Sequence, residues 1–304
     1  MRKSSVFKGK TFFVSGAGGM LGSALVRELQ KIGCKVLTKP HKQVGSAKKI
    51  KVEEKIDYIV HAAAPTAGRF FVEKPVETIE AIYLGTKNTL ELAREHEVKG
   101  YLFLSSLEVY GVPAKMDVFE TDGGYIDQMN VRSSYSEGKR LAECLCASYA
   151  EEFGVNARVA RLAQCFGEKI TESDNRVFAE FARSAKAGKP IVLKSKGETV
   201  RNYCSVRDAV EAMLVILAKG KKGEAYNVAN RDSTCSILEL AKMFSKDIVF
   251  DIKEDTQKLG YAPTVKIALN SEKLEALGWK AKVNLEEMVS GCLEFNHNAA
   301  KGRK

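Results

Sequence analysis

The run Thr11-Phe-Phe-Val-Ser-Gly16-Ala-Gly-Gly19-Met-Leu-Gly22 constrains the fold of this chain more than any other stretch. Phe12, Phe13 and Val14 are apolar without alternation, the pattern of a strand covered on both faces and hence of a parallel sheet between helices. Glycines then end it. Gly16 allows a tight turn, Gly19 keeps a side chain out of the path of a diphosphate, and Gly22 allows the next helix to pack closely on the strand. Leu21, Leu25, Leu29 and Ile32 form one stripe of a helix expected from Met20 to Ile32, whose positive N-terminal end suits phosphates. A glycine trio alone also fits a plain turn. Preceded by a strand and followed by an amphipathic helix, it predicts a dinucleotide-binding unit.

Segments of strand and helix character alternate beyond it, which predicts an α/β fold with a Rossmann-like, doubly wound parallel sheet. Lys35 to Thr38 reads as a weak strand and Asp57 to Ala64 as a stronger one. Pro75 to Glu97 reads as helix, Tyr101 to Ser105 as strand, Ser134 to the residue before Gly154 as helix, and Val155 to Leu162 as strand. The interval from Gly33 to Asp57 is too short for the usual additional strand and helix, so the sheet is expected to be trimmed there. The expected organisation is a dinucleotide-binding domain over residues 1–165, with a return segment near 200–230, and a smaller C-terminal α/β substrate-binding domain over residues 166–304.

With 304 residues, 45% of them hydrophobic, the chain can bury a large core, and the lone Trp279 is expected inside it. No apolar run approaches the ~18 residues of a membrane span, and Met1 to Val6 leads towards a strand without a signal-peptide hydrophobic region. A cytoplasmic protein with no membrane partner is expected. Seven cysteines without a C-x-x-C pair fit reduced thiols better than disulfides or a zinc site, and Cys144 and Cys146 are expected on different sides of a helix. The net charge of +10 favours anionic ligands. Nucleic acid is not expected among them, because no binding motif is present and aromatics do not interleave with the basic runs. The lysines around Lys48 to Lys55, around Lys219 to Lys222 and in the tail from Lys301 read as solvated faces or a frayed end.

Tyr135 and Lys139 stand four apart and share a helical face, where an ammonium favours a phenolate. A phenol of pKa ~10 must be lowered by roughly three units to act near neutrality, about 4 kcal/mol of differential stabilisation.

In order and spacing, the chain resembles the extended short-chain dehydrogenase/reductases, specifically the nucleotide-sugar epimerases, dehydratases and decarboxylases. The resemblance rests on the glycine motif, His61-Ala-Ala-Ala64, Gly85-Thr86, Ser105-Ser-Leu-Glu-Val-Tyr-Gly111, Tyr135-x-x-x-Lys139, Arg161 with Phe166-Gly167, Arg201 with Val206-x-Asp208, Tyr226-Asn-Val228 and Leu277-Gly-Trp279. It implies a nucleotide-diphosphate sugar as substrate. It implies Ser106, Glu108, Tyr135 and Lys139 as catalytic residues: Ser106 bonding the sugar oxygen, Tyr135 removing its proton, and Lys139 with an oxidised nicotinamide favouring the phenolate. Gly16, Gly19, Met20, Leu21, Gly22, Ala62, Ala63 and Ala64, with Tyr135 and Lys139, would contact the cofactor. Gln164, Arg176 and Arg201 would grip the substrate. Glu108 resembles the acidic position of 4,6-dehydratases and UDP-glucuronate decarboxylases, and Arg132 to Glu143 is similar to the decarboxylase helix. A 4-epimerase and a non-catalytic dinucleotide-binding regulator are the alternatives.

The chain departs from the family pattern at Leu107, where a polar residue is usual, at Ile82 and Gln164, where asparagine is expected, and at Glu168, where proline is usual. No acidic residue ends the second strand, so Lys39 or Lys42 offers a contact for the 2'-phosphate of NADP, while the resemblance points to NAD. It also implies a homodimer through helices 75–97 and 134–153.

Overall fold

The computed structural model describes residues 4–40, 44, 49–167, 170, 174–252, 261 and 263–294. His41, Lys42, Lys48, Glu168 and the tail from Lys301 lie outside the described residues.

Six strands make the central sheet: β1 (Thr11–Ser15), β2 (Lys35–Leu37), β3 (Tyr58–His61), β4 (Gly100–Ser106), β5 (Ala157–Leu162) and β6 (Ala225–Val228). Their order is β2-β1-β3-β4-β5-β6, and every neighbouring pair is parallel. Among the described residues β2 is the outermost strand beyond β1, which agrees with the trimmed edge expected from the short interval before Asp57. β3 is shorter than the run Asp57 to Ala64, because after His61 the chain leaves the ladder and Ala62 to Ala64 border a cleft.

Successive side chains of a strand point to opposite faces, and the aromatic run of β1 is divided accordingly. Phe12 and Val14 join one core with helices α1 (Met20–Ile32) and α4 (Val206–Lys219), which contribute Leu25, Leu29, Val206 and Met213. Phe13 joins the opposite core with α2 (Pro75–Glu95) and α3 (Ser133–Glu152), which contribute Ile82, Leu90, Tyr135 and Ala142. Both faces are therefore closed, which explains the absence of polar alternation in the sequence of β1. No helix among the described residues is long and apolar enough to cross a membrane.

A second group of strands lies beyond the sheet. Val200–Ser205 pairs antiparallel with Asn230–Ser236 and parallel with Lys266–Leu269 and Gln164–Phe166, over a core that includes Phe166, Phe178, Phe181, Leu240 and Met288. The C-terminal segment returns to α4. Trp279 is buried and donates its indole N–H to the Asp208 carbonyl at 3.0 Å, while the Asp208 carboxylate accepts the amides of Lys282 and Val283.

Candidate active site

Parallel strands leave their C-terminal ends at one edge of the sheet, and a cleft of about 860 Å³ opens there. All the site residues named from the sequence border it: Gly16, Gly19, Met20, Leu21 and Gly22 after β1, Ala62, Ala63 and Ala64 after β3, Ser106 and Glu108 at the end of β4, Tyr135 and Lys139 on α3, and Gln164, Arg176 and Arg201 from the outlying part.

At Gly16 and Gly22 the loop after β1 leaves no space for a side chain. Gly16 has φ of +72°, and a Cβ there would lie 2.7 Å from the Ala62 carbonyl carbon. A Cβ on Gly22 would lie 2.1 Å from the Gly16 carbonyl oxygen. Gly19 is the extended N-cap of α1, with no side-chain cap. The first amides of a helix lack intrahelical acceptors, so this bare N-terminus offers N–H donors and a positive dipole end, a fit for the pyrophosphate of a dinucleotide. At the tip of β2, Thr38, Lys39 and Pro40 border the same cleft without a carboxylate among them.

Two buried groups face one another from α3. Tyr135 stacks on Phe71, with ring centroids 4.2 Å apart and planes 9° from parallel. Burial raises its phenol well above the ordinary range and the charge of Glu108 adds to the rise, against which Ser106 and Arg132 act. Lys139 donates to the Leu104 carbonyl at 2.7 Å and lies 5.7 Å from the Tyr135 ring centroid. Burial pushes its ammonium down to about 7. In the protein alone the phenol is thus harder to ionise than in water, contrary to the lowering that a base near neutrality requires, because desolvation outweighs the nearby cations.

The two serines at the end of β4 are committed differently. Ser105 donates to Glu143 at 2.5 Å, whereas Ser106 accepts from the Glu108 amide at 3.3 Å. Ser106 keeps its hydroxyl at the cleft. Glu108 is gripped by Arg132, whose two terminal nitrogens each donate to one carboxylate oxygen at 2.8 Å, and Ser136 adds a bond at 3.1 Å. Burial alone would raise the Glu108 carboxyl; the charge and hydrogen bonds of Arg132, helped by Arg201 and Ser136, overcome it and hold the group below its usual value. Leu107, beside it, is buried and borders the cleft.

Arg132 was not singled out from sequence. Its signals are its place at the start of the Arg132 to Glu143 run and one helical turn before Tyr135. Asp174 was missed as well. It holds Arg176 through bonds of 2.9 and 2.6 Å, so that guanidinium enters the cleft already neutralised, with a further contact to the Met20 sulfur at 3.4 Å. Arg201 differs: its buried Nε has no hydrogen-bond partner among the described residues. Ile82, where asparagine was expected, is core, with its Cδ1 3.1 Å from where a Gly138 Cβ would stand. Gln164 is half-buried, with Tyr203 as its neighbour across the strands.

The model of the NAD dependent epimerase/dehydratase family matches residues 12–229. UDP-glucuronic acid decarboxylase 6 of Arabidopsis thaliana is 30% identical over 94% of this chain and 89% of its own length. UDP-glucuronic acid decarboxylase 1 of Xenopus tropicalis is 28% identical over 94% and 72%. Among solved structures, a UDP-glucose 4-epimerase from Thermotoga maritima with UDP-glucose superposes with a TM-score of 0.81 at 23% identity, covering 96% of this chain and 100% of the other. A dTDP-glucose 4,6-dehydratase from Bacillus anthracis in complex with NAD gives 0.75 at 18%, covering 94% and 96%. These two share the fold.

Proposed function

Because the chain belongs to the NAD-dependent epimerase/dehydratase family, we propose that it is a nucleotide-sugar enzyme that transiently oxidises a hydroxyl of a nucleotide-diphosphate hexuronic acid and removes its carboxyl group. The observation that carries this reading is the fork between Arg132 and Glu108, next to Leu107. Glu108 supplies the only carboxylate bordering the cleft among the described residues. Dehydration needs a proton donor for the departing hydroxyl. A carboxyl held ionised by a guanidinium is poor at that task, and Leu107 adds no second acid.

Decarboxylation makes no such demand. Once the neighbouring hydroxyl has become a ketone, the sugar is a β-keto acid. The bond to the carboxyl carbon breaks, its electron pair passes into the enolate of the ketone, carbon dioxide leaves, and a proton returns to the carbon left behind. NAD, when bound, would accept the hydride, give it back to the ketone after carbon dioxide has left, and add a positive charge that favours the phenolate. Ser106 donates to the sugar oxygen, Tyr135 removes the hydroxyl proton, Lys139 favours the phenolate, and Glu108 accepts a hydrogen bond from the sugar rather than supplying a proton. Gly16, Gly19, Met20, Leu21 and Gly22, with Ala62 to Ala64, form the cofactor wall, in a domain over residues 1–165. Gln164, at the end of that domain, with Arg176 and Arg201, from residues 166–304, holds the substrate; the unpartnered Arg201 Nε supports an anion there. Relatives named as UDP-glucuronic acid decarboxylases support the same reading.

A homodimer through α2 and α3 completes the proposal, supported by the exposed Val76, Ile79 and Leu141 on those helices. Free cysteines suit a reducing cytoplasm. The test is incubation of the purified protein with NAD and a panel of nucleotide sugars, read by mass spectrometry. Loss of carbon dioxide from a hexuronic acid donor is expected. Loss of water, or unchanged mass with altered retention, replaces the reading by dehydration or epimerisation, and no change with any donor favours a dinucleotide-binding regulator.

A further inference from the structure

We propose that Arg132 is a positioning residue that fixes Glu108 in one orientation and one charge state, making it a permanent acceptor towards the sugar. The role rests on the proposed place of Glu108 in the reaction, and three observations support it. The fork is two-pronged and symmetric, at 2.8 Å on each oxygen, which locks the carboxylate plane as well as its charge. The pair is largely withdrawn from water, with 9% exposure for the Arg132 side chain and 19% for Glu108, so its attraction is weakly screened. Arg132 also lies 5.8 Å from the centre of the Phe71 ring, whose face stacks on Tyr135. One guanidinium therefore ties the acceptor carboxylate to the packing of the phenol.

The groups facing Glu108 are Arg132 at the N-cap of α3, Ser136 and the Tyr135 phenol on α3, and Arg201 from the strand Val200–Ser205. Arg201 remains when Arg132 is replaced, and one of the two cations is lost. Burial of Glu108 is then less well opposed, and its carboxyl titrates higher.

The experiment compares the parent with Arg132→Gln, Arg132→Lys, Glu108→Gln and the double variant Arg132→Gln/Glu108→Gln. Infrared difference titration against Glu108→Gln reads the Glu108 carboxyl directly, without turnover. Arg132→Gln is expected to raise its midpoint by roughly one to three units, and Arg132→Lys to restore most of that shift. With the donor that the parent turns over, Arg132→Gln moves the acid limb of the kcat profile upward and lowers kcat about 10²-fold with a small change in KM. Arg132→Lys returns the limb but not the full kcat, because an ammonium cannot fork. The double variant is no slower than Glu108→Gln alone. An unmoved infrared midpoint in both Arg132 variants, or a double variant slowed by both factors multiplied, overturns the proposal. Failure of the parent to release carbon dioxide instead overturns the proposed reaction and leaves the infrared result standing.

Discussion

Two arginine–glutamate forks brace α3, and they serve opposite ends. Arg161 binds Glu143 with bonds of 2.7 to 3.1 Å, much as Arg132 binds Glu108. Around Arg161, however, protein groups complete the network: Tyr110 and the Glu120 carbonyl accept from it, Ser105 donates to Glu143, and Tyr110 donates to Asn227, which is bound to the carbonyls of Val118 and Asn270. Both pairs border an opening, the Arg161 pair a separate cavity of about 510 Å³ and Glu108 the cleft it shares with Ser106, Tyr135 and Lys139. On the proposed reading the first pair braces the fold, because its donors and acceptors are met within the protein, and the second serves the substrate. Burial of an ion pair does not by itself distinguish the two.

Replacement at the two ends should separate chemistry from stability. Tyr135→Phe, at the cleft, is expected to lower turnover by about 10² to 10⁴-fold while leaving dinucleotide affinity, read by fluorescence titration, nearly unchanged. Equal activity would remove the phenol from its role. Arg161→Met, at the other end, leaves the half-buried Glu143 without its cation and should destabilise the fold by roughly 3 kcal/mol in urea unfolding. A variant as stable as its parent would break the comparison, since Arg161 would then be no more structural than Arg132.

A pH-dependent effect belongs to Lys139, which lies between the forks. Burial holds its folded pKa near 7, below the unfolded value, so the unfolded chain binds the extra proton in the interval between them. Stability is therefore expected to rise from about pH 7 towards pH ~10 and to lose that component as pH falls through 7. Lys139→Met should flatten this part of the profile, measured by denaturant unfolding across pH. An unchanged slope would show that Lys139 is solvated.

Some of this architecture was legible because it is local. The helix expected from Met20 to Ile32 has those ends, since Gly19 and Gly33 terminate it through backbone geometry that neighbours cannot override. The helix expected to reach Glu97 stops at Glu95, where His96 caps α2 and Glu97 has a φ of +50°. The short strands at Val112–Pro113, Asp117–Val118 and Gly124–Tyr125 carry too few residues for a periodic signal and exist through distant partners, as in the pairing of Asp117 with Ala268. Cys144 is exposed and Cys146 buried, as helical spacing requires.

The candidate site follows the same rule. Its residue types are written in short motifs, and the cleft brings all of them together. The charge each one carries is not. Arg176 and Arg201 look alike in sequence, yet Asp174 neutralises the first while the second keeps an unpartnered Nε.

By itself the sequence determined the parallel sheet, the glycine-rich loop after β1 and the presence of a phenol and an ammonium on one helix, because backbone sterics and side-chain spacing act over a few residues. Only the tertiary structure decided that Glu108 stays ionised, that Tyr135 is raised and that Lys139 is lowered. Those outcomes depend on burial and on charges brought from distant segments, and electrostatic free energy is set by distance in space.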